Sequence, residues 1–140
     1  MASILKVDDL RGNTAAGNIT ITSEGGSATM QLQQGVAKAW VNFNGTGTIA
    51  TRDSFNVSSL NDDGTGKYDV VLTNNMGNND YSVTIGGANN TADGSGETAP
   101  SGRRIDLSTS EFGLRNTAFS SSTSFGDGEF MFGTVHGDLA

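Results

Sequence analysis

The 140-residue sequence contains no cysteine, so neither a disulfide staple nor a thiolate metal site is available to it. Proline, histidine and tryptophan occur once each, at Pro100, His136 and Trp40. One histidine cannot supply the usual cluster of metal ligands. His136 stands in VHGDLA beside Gly137 and Asp138, but neighbours along a strand point to opposite faces, so a structural or solvent-facing role is expected. Basic residues are few: eight Lys and Arg against fifteen Asp and Glu give a net charge of −7. That balance disfavours nucleic acid, whose phosphates attract cations, and anionic membrane surfaces. Its plain consequence is solubility and mutual repulsion. No window approaches a membrane span, so no membrane insertion is expected, and the opening MASILKVDDL lacks the apolar centre and cleavage motif of a signal peptide.

Large apolar side chains are scarce too. Leu, Ile, Val and Phe total 29, whereas Gly, Ser, Thr and Asn total 64. A chain of this length suits one domain, and with so little apolar content its core is marginal. Chains of this kind gain the missing burial by lying against copies of themselves or against neighbours.

What the sequence does contain is alternation with a period of two, the signature of strands. NITIT (18–22) alternates Ile19 and Ile21 with threonines. VAKAWVNF (36–43) places Ala37, Ala39, Val41 and Phe43 on one face and Val36, Lys38, Trp40 and Asn42 on the other. DSFNVSS (53–59) reads as one strand with Phe55 and Val57 on one side. Further strands are expected at KYDVVLT (Tyr68, Val70, Leu72), YSVTI (Tyr81, Val83, Ile85), RRIDLS (Ile105, Leu107) and EFMFGTV, where Phe130 and Phe132 oppose Met131 and Val135. NDDGTG (61–66) reads as a hairpin turn, because Gly accepts the positive φ such turns demand. Longer loops are expected at 74–80, 86–102 and 120–128. No stretch has a helical period.

The fold class expected is therefore all-β: an antiparallel β-sandwich or small barrel, jelly-roll-like, over residues 36–140. Residues 1–35 carry short apolar runs flanked by Gly and are expected to form an extended arm or hairpin that anchors the chain to another surface.

Searches for chemistry along the chain find little. NDDGTGKYD (61–69) lacks the alternate spacing of a calcium loop, since Asn61, Asp62 and Asp63 are consecutive. GTGT (45–48) has neither the Lys nor the following helix of a phosphate loop. No catalytic residue, cofactor or metal is expected, and the chain reads as a non-enzyme. Trp40 shares its face with Lys38 and Asn42, which an interior face rarely holds, so it is expected at a subunit boundary or on a half-exposed sheet face. Trp40, Tyr68, Tyr81 and the adjacent basic pair Arg103 and Arg104 are the candidate interface or recognition residues.

Over residues 37–76, AKAWVNFNGTGTIATRDSFNVSSLNDDGTGKYDVVLTNNM, the chain resembles a module of bacteriophage virion structural proteins of the tail-fibre type, especially of marine and cyanobacterial phages. The shared pattern is A-W-V-N-F-N-G at Ala39–Gly45, R-x-S-F-N-V-S-S at Arg52–Ser59 and D-x-G-T-G-x-Y at Asp62–Tyr68. The resemblance implies a non-enzymatic component of the particle exterior, made in the host cytoplasm and often homotrimeric. Its partners would be other virion proteins of capsid or tail, and a host surface glycan. It carries over no catalytic residues. The chain departs from a fibre in having no long shaft, which leaves open a capsid decoration protein that clamps the major capsid subunits. A carbohydrate-binding module is the reading from a different class, and it requires an exposed platform of Trp40, Tyr68 or Tyr81.

Overall fold

The computed structural model describes residues 4–88, 98–100, 106–118 and 125–140. Arg103, Arg104, Ile105 and parts of the loops at 86–102 and 120–128 lie outside the described residues. The chain divides into two units, the first ending at Val36 and the second beginning at Ala37.

The first unit holds a short antiparallel hairpin, β1 (Thr20–Thr22) and β2 (Thr29–Gln31), with Ile21 opposite Met30. Gly26, at a φ of +73°, makes the reversal between them. One helical turn, α1 (Leu32–Gly35), follows. None of its described residues is buried. A two-stranded hairpin without a covered face is marginal in water.

Among its described residues the second unit has eight strands. These are β3 (Ala39–Asn44), β4 (Ala50–Phe55), β5 (Val57–Asp62), β6 (Lys67–Leu72), β7 (Ser82–Ala88), β8 (Thr98–Pro100), β9 (Glu111–Ala118) and β10 (Phe130–His136). They form two four-stranded sheets, ordered β4-β3-β10-β7 and β5-β6-β9-β8, and every pairing is antiparallel. The sheets pack face to face and stay open at their edges, so the architecture is a sandwich and not a closed barrel. Pro100 sits in edge strand β8, where a residue without an N–H is tolerated.

Alternation builds the core. Ala39, Val41 and Phe43 of β3 and Met131 and Val135 of β10 meet Tyr68, Val70 and Leu72 of β6 and Phe112 and Leu114 of β9. Full burial of each large side chain contributes roughly 1.5–3 kcal/mol, which is how a chain with few of them still folds. Gly133 lies between Met131 and Val135, and a Cβ there would come within 3.2 Å of the Phe112 ring. The facing sheet thus already fills the space a larger residue would need.

Two expected strands differ from the structure. DSFNVSS is not one strand: β4 and β5 belong to different sheets and meet at Asn56, whose φ is +57°. Phe55 consequently points outward, 53% exposed, while Val57 is half-buried against the core. The alternation continued through the sequence, but the left-handed residue turned the chain over. RRIDLS contributes only an isolated bridge between Leu107 and Phe112 within its described part, and the strand is instead β9. EFGLRNTA conceals itself because Gly113, Arg115 and Asn116 dilute the Phe112–Leu114 alternation.

Asn56 fastens the corner between the sheets. Its Nδ2 donates to the carbonyl oxygens of Lys38 (3.0 Å) and Asn74 (3.1 Å). Its Oδ1 accepts from the backbone N–H of Asn74 (2.7 Å) and from Asn74 Nδ2 (2.9 Å). Asparagine both tolerates the left-handed region and fills every bond its amide offers. Asn56→Ala should therefore lose about 2–3 kcal/mol, from these bonds and the strained φ together. Asn56→Gly should recover only the strain, about 1 kcal/mol. Urea unfolding of the two variants beside the parent checks both the loss and the difference.

Candidate functional site

The outer face of sheet β4-β3-β10-β7 gathers most of the exposed aromatic surface. Side chains that alternate away from the core come together by register. Trp40 stands opposite Phe55 of β4 and Thr134 of β10. Asn42 stands opposite Asp53 and Phe132, and Phe132 in turn faces Gly86 of β7. A Cβ at Gly86 would fall 1.9 Å from the Phe132 ring, so the ring lies over bare backbone. Phe55 is 53% and Phe132 47% exposed, with Trp40 half-buried between them. Adjacent strands are about 4.8 Å apart, so three rings on three successive strands extend across about 10 Å of sheet. Phe130, two residues before Phe132 on the same face, is capped differently. The Arg52 guanidinium lies 4.3 Å from its ring centroid and donates to the Glu129 carbonyl oxygen at 2.6 Å.

Trp40 is thus where the mixed polarity of its face placed it, on a half-exposed sheet surface. Tyr68 and Tyr81 are not. Both are core residues, 0% and 5% exposed, and neither ring is open to an outside ligand. Their hydroxyls tie the sheets together at opposite ends of the sandwich. Tyr68 reaches from β6 to the Gly45 carbonyl oxygen at 2.9 Å and to Asp127 Oδ1 at 3.0 Å. Its ring meets Phe43 edge-on, with centroids 5.1 Å apart. Tyr81 lies within 2.9 Å of the carbonyl oxygens of both Ser108 and Glu111. Period-two reading assigns a tyrosine to a face, but cannot tell whether its hydroxyl finds a buried partner.

Phe55 and Phe132 are the members of the outer face that sequence reasoning missed as recognition residues. Phe132 had a signal, since Phe130 and Phe132 alternate against Met131. Phe55 had none, because its orientation depends on the turn at Asn56. His136 ends β10 opposite Ser82. Among the described residues no three His, Asp or Glu come together in a way that could hold a metal ion. Nor is any helix among them long and apolar enough to cross a membrane.

No family model, curated protein or solved structure matches the chain. Its chemistry therefore has to be read from its own surface. Aromatic rings beside amide, hydroxyl and carboxylate groups suit binding by stacking and hydrogen bonding.

Behind that face lies a charged cluster on the other sheet. Arg115, 8% exposed, donates from Nη1 to the carbonyl oxygens of Tyr68 and Leu114 and to Asp69 Oδ1 at 3.1 Å, and from Nη2 to Asp106 Oδ2 at 3.3 Å. Burial pushes the Asp69 carboxyl above its ordinary value, helped by Asp63, and Arg115 pulls it back. Buried pairs of this kind contribute little net stability but are costly to break on one side. The cluster reads as a structural fixture.

The tyrosine hydroxyls set a pH limit. Burial, with Asp127 beside it, holds Tyr68 protonated far above its ordinary value, and burial with the Glu111 carboxylate pushes Tyr81 up to about 12. The folded chain therefore binds more protons than the unfolded chain in alkali. Its stability should be complete below about pH 10, the ordinary tyrosine value, and fall as pH rises through 12. Tyr68→Phe should cost about 1–3 kcal/mol at neutral pH and make the alkaline decline shallower. Urea midpoints measured from neutrality into alkali check this, and a parent midpoint that stays level throughout contradicts it.

Proposed function

We propose that the chain is a non-enzymatic virion structural protein of a bacteriophage, of the tail-fibre type, displayed on the particle exterior and contributing to assembly and host attachment. The single observation that carries this reading is the first unit. It buries no described residue, yet presents Ile4, Leu5, Val7, Leu10, Ile21, Met30 and Val36, each more than 40% exposed. So many large apolar side chains on so short a segment mark a surface that another protein covers. The resemblance over 37–76 says what kind of assembly. The motifs behind it are not surface decoration. Gly45, Asn56, Gly66 and Tyr68 are among the residues that hold the two sheets together.

A homotrimer joined to other virion proteins is the assembly this reading expects. Light scattering of the purified chain tests it, with a stable monomer as the contrary result. Fractionating particles then separates the two roles within the class. A fibre-type appendage travels with tails, whereas a capsid decoration protein is recovered at many copies on tail-less heads.

The open rings favour a second reading, carbohydrate binding, and specify its location as Phe55, Trp40 and Phe132 instead of the buried tyrosines. Host attachment through a surface glycan would use that face. Trp40→Ala should then reduce retention on a glycan array by about tenfold, the loss of one stacking contact of roughly 1.4 kcal/mol. Equal binding by the variant, or a blank array with the parent, rejects this second reading.

A further inference from the structure

Resting on that structural-protein reading, we infer that the partner covering the first unit is a second copy of this chain, with the Ile4–Val7 run of one copy seated in an apolar groove of the other. The groove has a volume of about 290 Å³ and is lined by Leu10, Ala16, Gly17, Ile19, Leu32, Gln33 and Val36. No charged side chain lines it. Ile4 and Leu5 are 78% and 76% exposed and Val7 is 53% exposed, so the first unit by itself leaves the run uncovered. Each copy thus carries both a projecting apolar run and a receptor for one.

Two more features select a copy of the chain as the occupant. Charge is the first. Residues 1–36 hold two basic and three acidic residues, a net of −1, while the whole chain carries −7. The acidity that keeps copies apart lies almost entirely in the sandwich, and the first unit is nearly neutral toward its own kind. Backbone is the second. Among the described residues the β1–β2 sheet has only two strands, so each strand leaves one edge without a neighbour. Ile4–Val7 belongs to no helix or strand, and added to such an edge it would bring Leu5 and Val7 to one face and Lys6 to the other. A third strand with an apolar face is what a marginal hairpin lacks.

The experiment uses full-length protein and two variants, Leu5→Asp/Val7→Asp in the run and Leu32→Asp in the groove. Leu5 and Val7 are exposed, so their replacement leaves the chain folded, which thermal unfolding of the sandwich verifies. Sedimentation velocity should show each variant self-associating about 100-fold more weakly than the parent, as expected for two apolar side chains left in water. An equimolar mixture should regain association, because the intact run of one variant enters the intact groove of the other. A synthetic peptide of residues 1–12 should dissociate the parent assembly. If the run variant keeps the parent's size, or the mixture stays apart, the exchange is wrong even though the chain remains an assembly protein. A parent that is monomeric in solution but present on particles also overturns the exchange alone. A parent that is monomeric and absent from particles overturns the structural-protein reading itself.

Discussion

Everything in the sandwich is arranged around one buried hydroxyl. Tyr68 projects from β6 through the core to the far sheet, and its oxygen needs a partner there because an unsatisfied buried hydroxyl is costly. Gly45 supplies the carbonyl and Asp127 a carboxylate oxygen, which also accepts the Gly66 N–H at 2.7 Å. The approach is so close that a Cβ on Gly45 would lie 2.6 Å from the Tyr68 oxygen. Gly66, at a φ of +64°, has no room either: its Cβ would come within 2.4 Å of the Asn116 carbonyl oxygen. The glycine of VNFNG is therefore a steric consequence of Tyr68, whereas Gly66 is required by the Asn116 and Gly126 backbone and its own positive φ, and Gly64 by its φ of +107°.

That constraint explains how so polar a chain has a defined core. The twelve buried apolar residues among those described are a small store, and the sheets are held additionally by side-chain bonds at their ends. Tyr68 closes one end, Tyr81 the other, and Asn56 fixes the edge where the chain passes from β4 to β5. Asn116, fully buried, donates from its Nδ2 to the Gly126 carbonyl oxygen at 2.8 Å and so holds the segment leading to β10 at the Tyr68 end. Asparagine, glycine and tyrosine here take over work that leucine and isoleucine perform in richer chains.

Much of the sandwich was legible in the sequence because period two is a geometric property of strands. The inner faces of β3 and β6 and the Asp-Gly turn follow from it directly, whereas for β10 it left open whether Phe130 and Phe132 or Met131 and Val135 face inward. What escaped depended on single residues whose conformation the pattern does not encode. Asn56 looked like one more polar residue within a strand, and only its positive φ separates β4 from β5 and sends Phe55 outward. Tyr68 and Tyr81 have the chemistry of recognition residues, but alternation put them beside Val70 and Val83, and burial decided the matter. β9 was invisible because it buries Arg115 and Asn116, whose bonds to Asp69, Asp106 and the Gly126 carbonyl oxygen form only after folding. The Trp40 face was half legible: its mixed polarity pointed to partial exposure, while its companions Phe55 and Phe132 came from two other strands.

The two units divide the apolar residues in opposite ways. Among the described residues of the sandwich most large apolar side chains face inward; the exposed ones are Phe55 and Phe132, which flank Trp40 on one sheet, and Leu139. In the first unit, residues such as Ile4, Leu5 and Leu10 are uncovered although they match the sandwich core in kind. A chain able to place apolar residues so consistently over 104 positions has not failed to do so over the first 36 for lack of them. What those 36 residues lack is a second layer, since a hairpin has one apolar face and nothing in its own short length to lay against it. The sandwich completes itself through its tyrosine ties, whereas the hairpin has no second layer within its own unit. Self-sufficiency in one unit and dependence in the other is the physical basis for reading the chain as a display domain carried on an assembly device.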